Sequence, residues 1–233
     1  MSWFQLDPAS IAHRARSDDG ATAAIPSLGA SLRRGILGFT MVSIAGFAPW
    51  VFLGHWFHRH IGEAGLYTVC ALLFIGLSGL LLHRLIIGPG SLGRFYALFG
   101  IAFAAYSAAW IVGWMTLRGH PGSLAGLFAG AAVMGGIFSN AFDARKAAFK
   151  VIAALFILNA AGYFVGGWIE GALIPIKECA VFGLVLPKTT QVIIAKLQWG
   201  VCYGIGLGAG LGLAFYICQA KARALLGVKP QAA

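Results

Sequence analysis

The stretch WGVCYGIGLGAGLGLAFYICQ, residues Trp199–Gln219, decides the fold of this chain. It carries no charged residue and is long enough to cross a bilayer, which takes about 20 apolar residues. Its glycines recur every fourth position at Gly200, Gly204, Gly208 and Gly212, with Gly206 and Gly210 beside them. Residues four apart share one helix face, so that face has almost no side chains. The stretch therefore predicts a transmembrane helix that a neighbouring helix approaches very closely.

Glycine spacing of the same kind recurs in two earlier apolar runs. Gly126 and Gly130 lie four apart in one run, and Gly162 and Gly166 in the next. Rows of small residues drive helix association in membranes through backbone contact. We expect a common set of residues to lie at helix contacts or along a pore: Gly126, Gly130, Asn159, Gly204, Gly208 and Gly212.

Composition places the whole chain in the membrane class. Hydrophobic residues make up 59% and charged residues 10%, against roughly 25% charged in soluble domains. The predicted spans are Ile36–Phe57, Leu66–Ile87, Phe95–Leu117, Ser123–Phe142, Ala147–Trp168 and Trp199–Gln219. We therefore predict an all-α polytopic membrane protein whose six transmembrane helices, residues 36–219, pack tightly through glycine.

The segment 1–35 is expected to precede the membrane. Asp7 followed by Pro8 is typical of a helix start and predicts a short interfacial helix over residues 8–16. Its apolar side chains are expected to enter the headgroup region: Trp3, Phe4, Leu6 and Ile11. The linker that follows, residues 20–31, is expected to be irregular, and residues 220–233 form a tail.

One long connection, residues 169–198, joins the last two predicted spans. Its stretch 179–187 is apolar but too short to cross a bilayer. Two alternatives stay open, a re-entrant half-helix and an interfacial helix, and the interfacial helix is the commoner fate of such a segment.

Charge distribution predicts the orientation. Twelve of the 17 lysines and arginines fall in segments on the same side as the N-terminus. The positive-inside rule therefore places both termini in the cytoplasm, in a cytoplasmic (inner) membrane. The net charge of +10 suits this topology and anionic lipid, so it requires no nucleic-acid partner.

Histidines form the second candidate site. His55, His58 and His60 lie at the outer end of the first span, and His120 lies at the outer start of the fourth. Imidazole groups suit a transition metal, and two histidines on different helices suit haem. The alternative is that a helix end in the headgroup zone collects amphipathic side chains.

Other reactive residues give weaker signals. Cys179 and Cys202 lie on the outer side, where a disulfide is one reading and buried thiols are the other. Asn159 is expected to donate an interhelical hydrogen bond rather than to bind substrate. The carboxylates Glu170 and Asp143 map to span ends or loops, which disfavours a proton-driven mechanism.

Two functions from different classes remain. The first is a channel or facilitator for a small solute or ion, consistent with six compact helices. The second is a non-catalytic accessory subunit of a larger membrane complex that binds haem, metal or pigment through the outer histidines. Sequence motifs of hydrolases, zinc proteases and phosphate-binding loops are absent from the chain. The expected partners are membrane lipid and either further copies of this chain, in a homo-oligomer, or the other subunits of a membrane complex.

Overall fold

A computed structural model describes residues 4–16, 25–177, 180–181 and 184–227. Its helices are α1 (Pro8–Ala15), α2 (Leu28–His60), α3 (Gly62–Leu82), α4 (Ser91–Leu117), α5 (Gly119–Ala141), α6 (Ala148–Leu173), α7 (Lys188–Cys218) and α8 (Ala220–Leu225). Single 3-10 turns lie at His83–Leu85 and Arg145–Ala147. Six helices, α2 to α7, are long and apolar enough to cross a membrane. The prediction of an all-helical fold with six helices long and apolar enough to span a membrane is thereby confirmed.

Two helices begin well before their apolar runs. Helix α2 begins at Leu28, where the Ser27 hydroxyl oxygen accepts a hydrogen bond from the Ala30 N–H at 3.2 Å. Helix α7 begins at Lys188, directly after Pro187. Hydropathy marks where a helix can meet lipid, whereas capping decides where the helix begins, so the two boundaries differ.

The described residues of the segment 179–187 do not form the predicted helix. Strand β1 (Ala180–Val181) pairs antiparallel with β2 (Leu184–Val185), with Ala180 opposite Val185. The two valines are β-branched, which favours extended backbone over helix. Cys179, and with it the predicted disulfide, lies outside the described residues.

The six long helices form a closed ring. In order around it, α2 packs on α3, α3 on α4, α4 on α5, α5 on α6, α6 on α7, and α7 back on α2. We call the side that carries α1 and α8 the termini end. The opposite side, which carries the β1–β2 pair and the turns at Ile61 and Arg118, is the hairpin end.

Helix α7 lies between α2 and α6 with its glycines against both. A Cβ atom added to Gly204 would lie 2.6 Å from the Thr40 Cα of α2. A Cβ atom added to Gly206 would lie 2.9 Å from the Gly162 Cα of α6. Because real Cβ atoms do not approach this closely, the helix backbones are in direct contact on both sides of α7.

Phenylalanines fill the ring interior at the termini end. They are Phe39, Phe95, Phe99, Phe138, Phe142 and Phe215, which we call the aromatic plug, and none is more than 1% exposed. Phe95 and Phe99 stack with centroids 5.1 Å apart, and Phe215 lies 5.0 Å from Phe138. The plug leaves this half of the ring densely packed.

Helix α1 packs on protein rather than lying free at the membrane surface. Leu6 and Ile11 are 0% and 1% exposed and join the core of the bundle. The Arg16 guanidinium donates to the Leu225 carbonyl of α8 at 2.7 Å. The expectation that Leu6 and Ile11 enter the headgroup region is wrong, because both side chains are buried in the core of the bundle; Trp3 lies outside the described residues.

Gln219 ties the α3–α4 connection to the end of α7. Its side chain is 2% exposed. The amide nitrogen donates to the carbonyls of Leu85 at 2.8 Å and Phe215 at 2.9 Å, and the amide oxygen accepts from the Ile87 N–H at 2.8 Å. One side chain therefore satisfies backbone groups of two segments far apart in sequence.

An ion pair at the termini end predicts a small acid dependence of stability. The Lys221 ammonium donates to the Asp143 carboxylate at 2.9 Å and holds the pKa of that carboxyl below its usual value. A lowered pKa stabilises the fold above about pH 4 and loses that effect as pH falls through the folded value. We expect the melting-temperature difference between the wild type and Asp143→Asn to shrink in acid; a difference that grows in acid contradicts this.

Candidate functional site

The ring encloses a cavity of about 410 Å³ at the hairpin end. Its walls come from α2, α3, α4, α6 and α7 and consist of Phe47, Trp50, Leu66, Tyr67, Cys70, Ala71, Phe74, Phe103, Tyr106, Ser107, Trp110, Ile111, Tyr163, Glu170, Trp199 and Tyr203. Most of these residues are aromatic, so the walls are mainly ring faces and edges. We call this space the aromatic cavity.

Helices α3 and α4 line the cavity on the hairpin side of the contacts that join them. Nearer the termini end, the Tyr96 hydroxyl of α4 donates to the Gly76 carbonyl at 2.6 Å, and Phe74 stacks on Phe103 at 5.4 Å. Beyond this contact, Ala71 of α3 and Ser107 of α4 line the cavity. The cavity therefore reaches the gap between two neighbouring helices of the ring, on the side that faces lipid.

A small polar group lies at the floor of the cavity. Asn159 is fully buried, and its amide nitrogen donates from α6 to the Tyr106 hydroxyl of α4 at 2.7 Å. The Tyr203 side chain of α7 also hydrogen-bonds Tyr106. Asn159 thus joins α6 to α4, and the two tyrosines to which this polar group belongs, Tyr106 and Tyr203, line the cavity.

The mouth of the cavity carries a carboxylate. Glu170, Tyr163 and Trp199 also line a shallower pocket of about 850 Å³, the vestibule, together with His120 and Trp168. The Trp199 indole N–H donates to the Tyr163 carbonyl at 3.0 Å. Trp199 is therefore a shared wall between the vestibule and the aromatic cavity.

Glu170 lies at a span end, as expected, in the last turn of α6, and its side chain lines the cavity. The sequence did not indicate its role in a site, because the predicted span ends at Trp168, two residues before it. A usable signal was the spacing of Tyr163 and Glu170, seven residues apart and thus on one helix face.

A cation lies on one of the rings that line the cavity. The Lys196 ammonium of α7 is 4.3 Å from the centroid of the Trp50 ring, although Lys196 is not itself among the lining residues. Glu170 and Lys196 interact through their charges without forming an ion pair among the described residues. The cavity lining therefore carries a negative charge on α6 and has a positive charge from α7 next to it.

The glycines expected at helix contacts or along a pore are not among the cavity residues. A Cβ atom at Gly126 would lie 2.6 Å from the Trp110 carbonyl oxygen, and one at Gly130 would lie 2.6 Å from the Tyr106 ring. Helix α5 therefore supports the cavity wall formed by α4 from behind. Gly204, Gly208 and Gly212 lie against α2 in the same manner.

The four histidines are exposed. The His60 ring stacks on Trp56, and its Nδ1 donates a hydrogen bond to the Trp56 carbonyl at 2.8 Å. His55 and His58 lie at the same end of α2. His120 lies on the vestibule, 6.0 Å from the Phe164 ring. Within the described part of the chain, no three His, Cys, Asp or Glu side chains form a metal-binding group.

The arrangement suits binding rather than bond chemistry. Ring faces bury apolar molecules, tyrosine hydroxyls orient them, and a carboxylate at the mouth selects for charge. In comparisons with protein-family models, with curated proteins and with solved structures, no match to this chain is found.

Proposed function

We propose that the protein binds a small, largely apolar molecule in the aromatic cavity and facilitates its passage through the membrane. The aromatic cavity itself carries this proposal. Its volume of about 410 Å³ falls within the range of about 300–1,000 Å³ typical of ligand pockets, and an apolar wall with few polar groups is also typical of such sites.

The position of the aromatic plug makes this site a binding chamber rather than an open pore. The plug fills the ring at the termini end, whereas the cavity opens at the hairpin end. Passage therefore requires the plug to rearrange after the ligand has bound. With both termini in the cytoplasm of an inner membrane, as the charge distribution predicts, the cavity faces the outside.

Filling the cavity tests the proposal. Ala71→Phe places a ring inside the cavity, whereas Leu72→Phe adds the same ring on the lipid side, where Leu72 is 65% exposed. We expect Ala71→Phe to weaken ligand binding by about tenfold or more and Leu72→Phe to leave it unchanged. The probes are tert-butylbenzene and phenyltrimethylammonium, two molecules of the same shape, measured by tryptophan emission and ligand-observed NMR in phosphatidylcholine nanodiscs.

Three tryptophans line the cavity, namely Trp50, Trp110 and Trp199. Tryptophan emission therefore responds to a probe that binds there. Partition of a probe into lipid persists in both variants, so only the difference between them reports the cavity. Equal signals from the wild type and Ala71→Phe for both probes would show that the cavity is not a binding site. Release of the bound probe from proteoliposomes then tests passage.

The aromatic lining also favours a second function, an accessory subunit that holds a pigment or haem. Ring-shaped cofactors pack on aromatic walls as well as a transported solute does. Visible absorption of protein extracted gently from its own membrane separates the two functions, and substitution of His55 or His120 abolishes the band if they are ligands. Native mass spectrometry of the same sample distinguishes a homo-oligomer from a mixed complex.

A further inference from the structure

We propose that the ligand of the aromatic cavity is an organic cation, an apolar or aromatic body that carries a permanent or protonated ammonium group. This inference rests on the proposed function, since it names the class of molecule that the same cavity binds. Two features carry it: the ring faces that surround the mouth and the carboxylate that lies among them.

Four rings of the cavity wall pack around Trp199. Its ring lies 5.0 Å from Phe47, 5.2 Å from Tyr163, 6.2 Å from Trp50 and 6.2 Å from Tyr203, measured between centroids. All of these side chains line the cavity. Tryptophan and tyrosine rings attract cations through their electron-rich faces, and sets of such rings bind quaternary ammonium groups.

Glu170 supplies the matching charge. Among the described residues that line the aromatic cavity it is the one with a charge, and it lies half-buried in the last turn of α6. Lys196 interacts with it through charge, but no ion pair involves it within the described part of the chain. A partly buried carboxylate is stabilised when a cation approaches it. An ammonium group on the ligand supplies this interaction, and a neutral or anionic ligand does not.

The chain itself provides a cation on one of these rings. Lys196 places its ammonium 4.3 Å from the centroid of Trp50. The Trp50 ring thus attracts a positive charge, and Lys196 shares the field of Glu170 with a ligand cation. Removing the lysine charge is therefore expected to strengthen binding of an organic cation and to weaken binding of an anion.

The test compares phenyltrimethylammonium with tert-butylbenzene, which has the same shape and no charge. Binding is measured in phosphatidylcholine nanodiscs, with Ala71→Phe as the blank for partition into lipid. We expect phenyltrimethylammonium to bind the wild-type cavity about tenfold or more tightly than tert-butylbenzene. Glu170→Gln removes this preference, because the glutamine keeps the shape of the side chain and loses its charge.

Lys196→Met provides the opposite change. It keeps the apolar stem over Trp50 and removes the ammonium, so affinity for phenyltrimethylammonium is expected to rise about threefold or more. Lys177→Met, which removes a charge from an exposed site at the same end, serves as the control. Melting temperatures of all variants verify that they are folded.

The outcomes separate the two proposals. The proposal of an organic cation is supported if Glu170→Gln weakens binding of phenyltrimethylammonium and Lys196→Met strengthens it. The proposal of an organic cation fails if Ala71→Phe removes binding of both probes but Glu170→Gln leaves it unchanged. In that case the cavity is still a binding site. If Ala71→Phe changes the signal of neither probe, both the proposed function and this inference fail.

Discussion

Gly208→Ala lowers the stability of the protein, although alanine is a better helix former than glycine by about 1 kcal/mol. A Cβ atom at this position overlaps the Gly35 carbonyl oxygen of α2 and lies 3.0 Å from the Ile36 Cα. Both are backbone atoms and cannot turn aside, so α2 and α7 must separate. We expect a net loss of about 1–3 kcal/mol, measured by denaturant unfolding in mixed micelles.

Gly76→Ala is the matched control. Gly76 lies in α3 with open space where a Cβ atom would be, and it is exposed on the lipid side. The same substitution there is expected to leave stability unchanged or to raise it. Equal effects at Gly208 and Gly76 would mean that backbone contact between α2 and α7 does not hold the bundle together.

Gln219→Leu gives the second large effect. Leucine keeps the volume of the side chain but leaves the Ile87 N–H and the Leu85 carbonyl without their partner in the protein interior. An unpaired buried group costs about 1–3 kcal/mol. We therefore expect a clear fall in the unfolding free energy, together with faster proteolysis of the α3–α4 connection.

Gln198→Leu separates this effect from a general sensitivity of α7 to the loss of glutamine. The Gln198 amide makes one hydrogen bond, to the Cys202 sulfur at 2.9 Å, and its oxygen has no partner among the described residues. Sulfur is a weak acceptor, so this variant is expected to be nearly as stable as the wild type. A loss as large as that of Gln219→Leu would refute the role assigned to Gln219.

Local pattern was enough to predict the class and the number of spans. Six apolar runs are visible in the composition of successive windows, and the structure has six helices long and apolar enough to cross a membrane. Hydropathy reports burial in lipid, so it carries little information about capping. This is why Leu28 and Lys188 begin their helices well before the predicted spans.

The features that the sequence did not predict depend on contacts between residues that are far apart in the chain. Glu170 belongs to the site because α6 continues past Trp168 and faces α3 and α4 across the cavity. Leu6 and Ile11 are buried in the core of the bundle, and α1 packs against α8 near the other end of the described chain. Val181 pairs with Leu184, and Ala180 with Val185, in a strand pair that hydropathy does not predict. Each of these outcomes depends on a partner that local periodicity does not identify.

The pairing of α2 with α7 also sets the order of assembly. The first membrane span forms one of the most extensive helix contacts of the ring with the last one, through backbone surfaces that complete each other. During synthesis, α2 enters the bilayer before α7 has been translated. The small-residue face of α2 therefore has no partner until the rest of the chain has been made. Ring closure, and with it the aromatic cavity, is therefore a late event in biogenesis that begins only once the final span has been inserted.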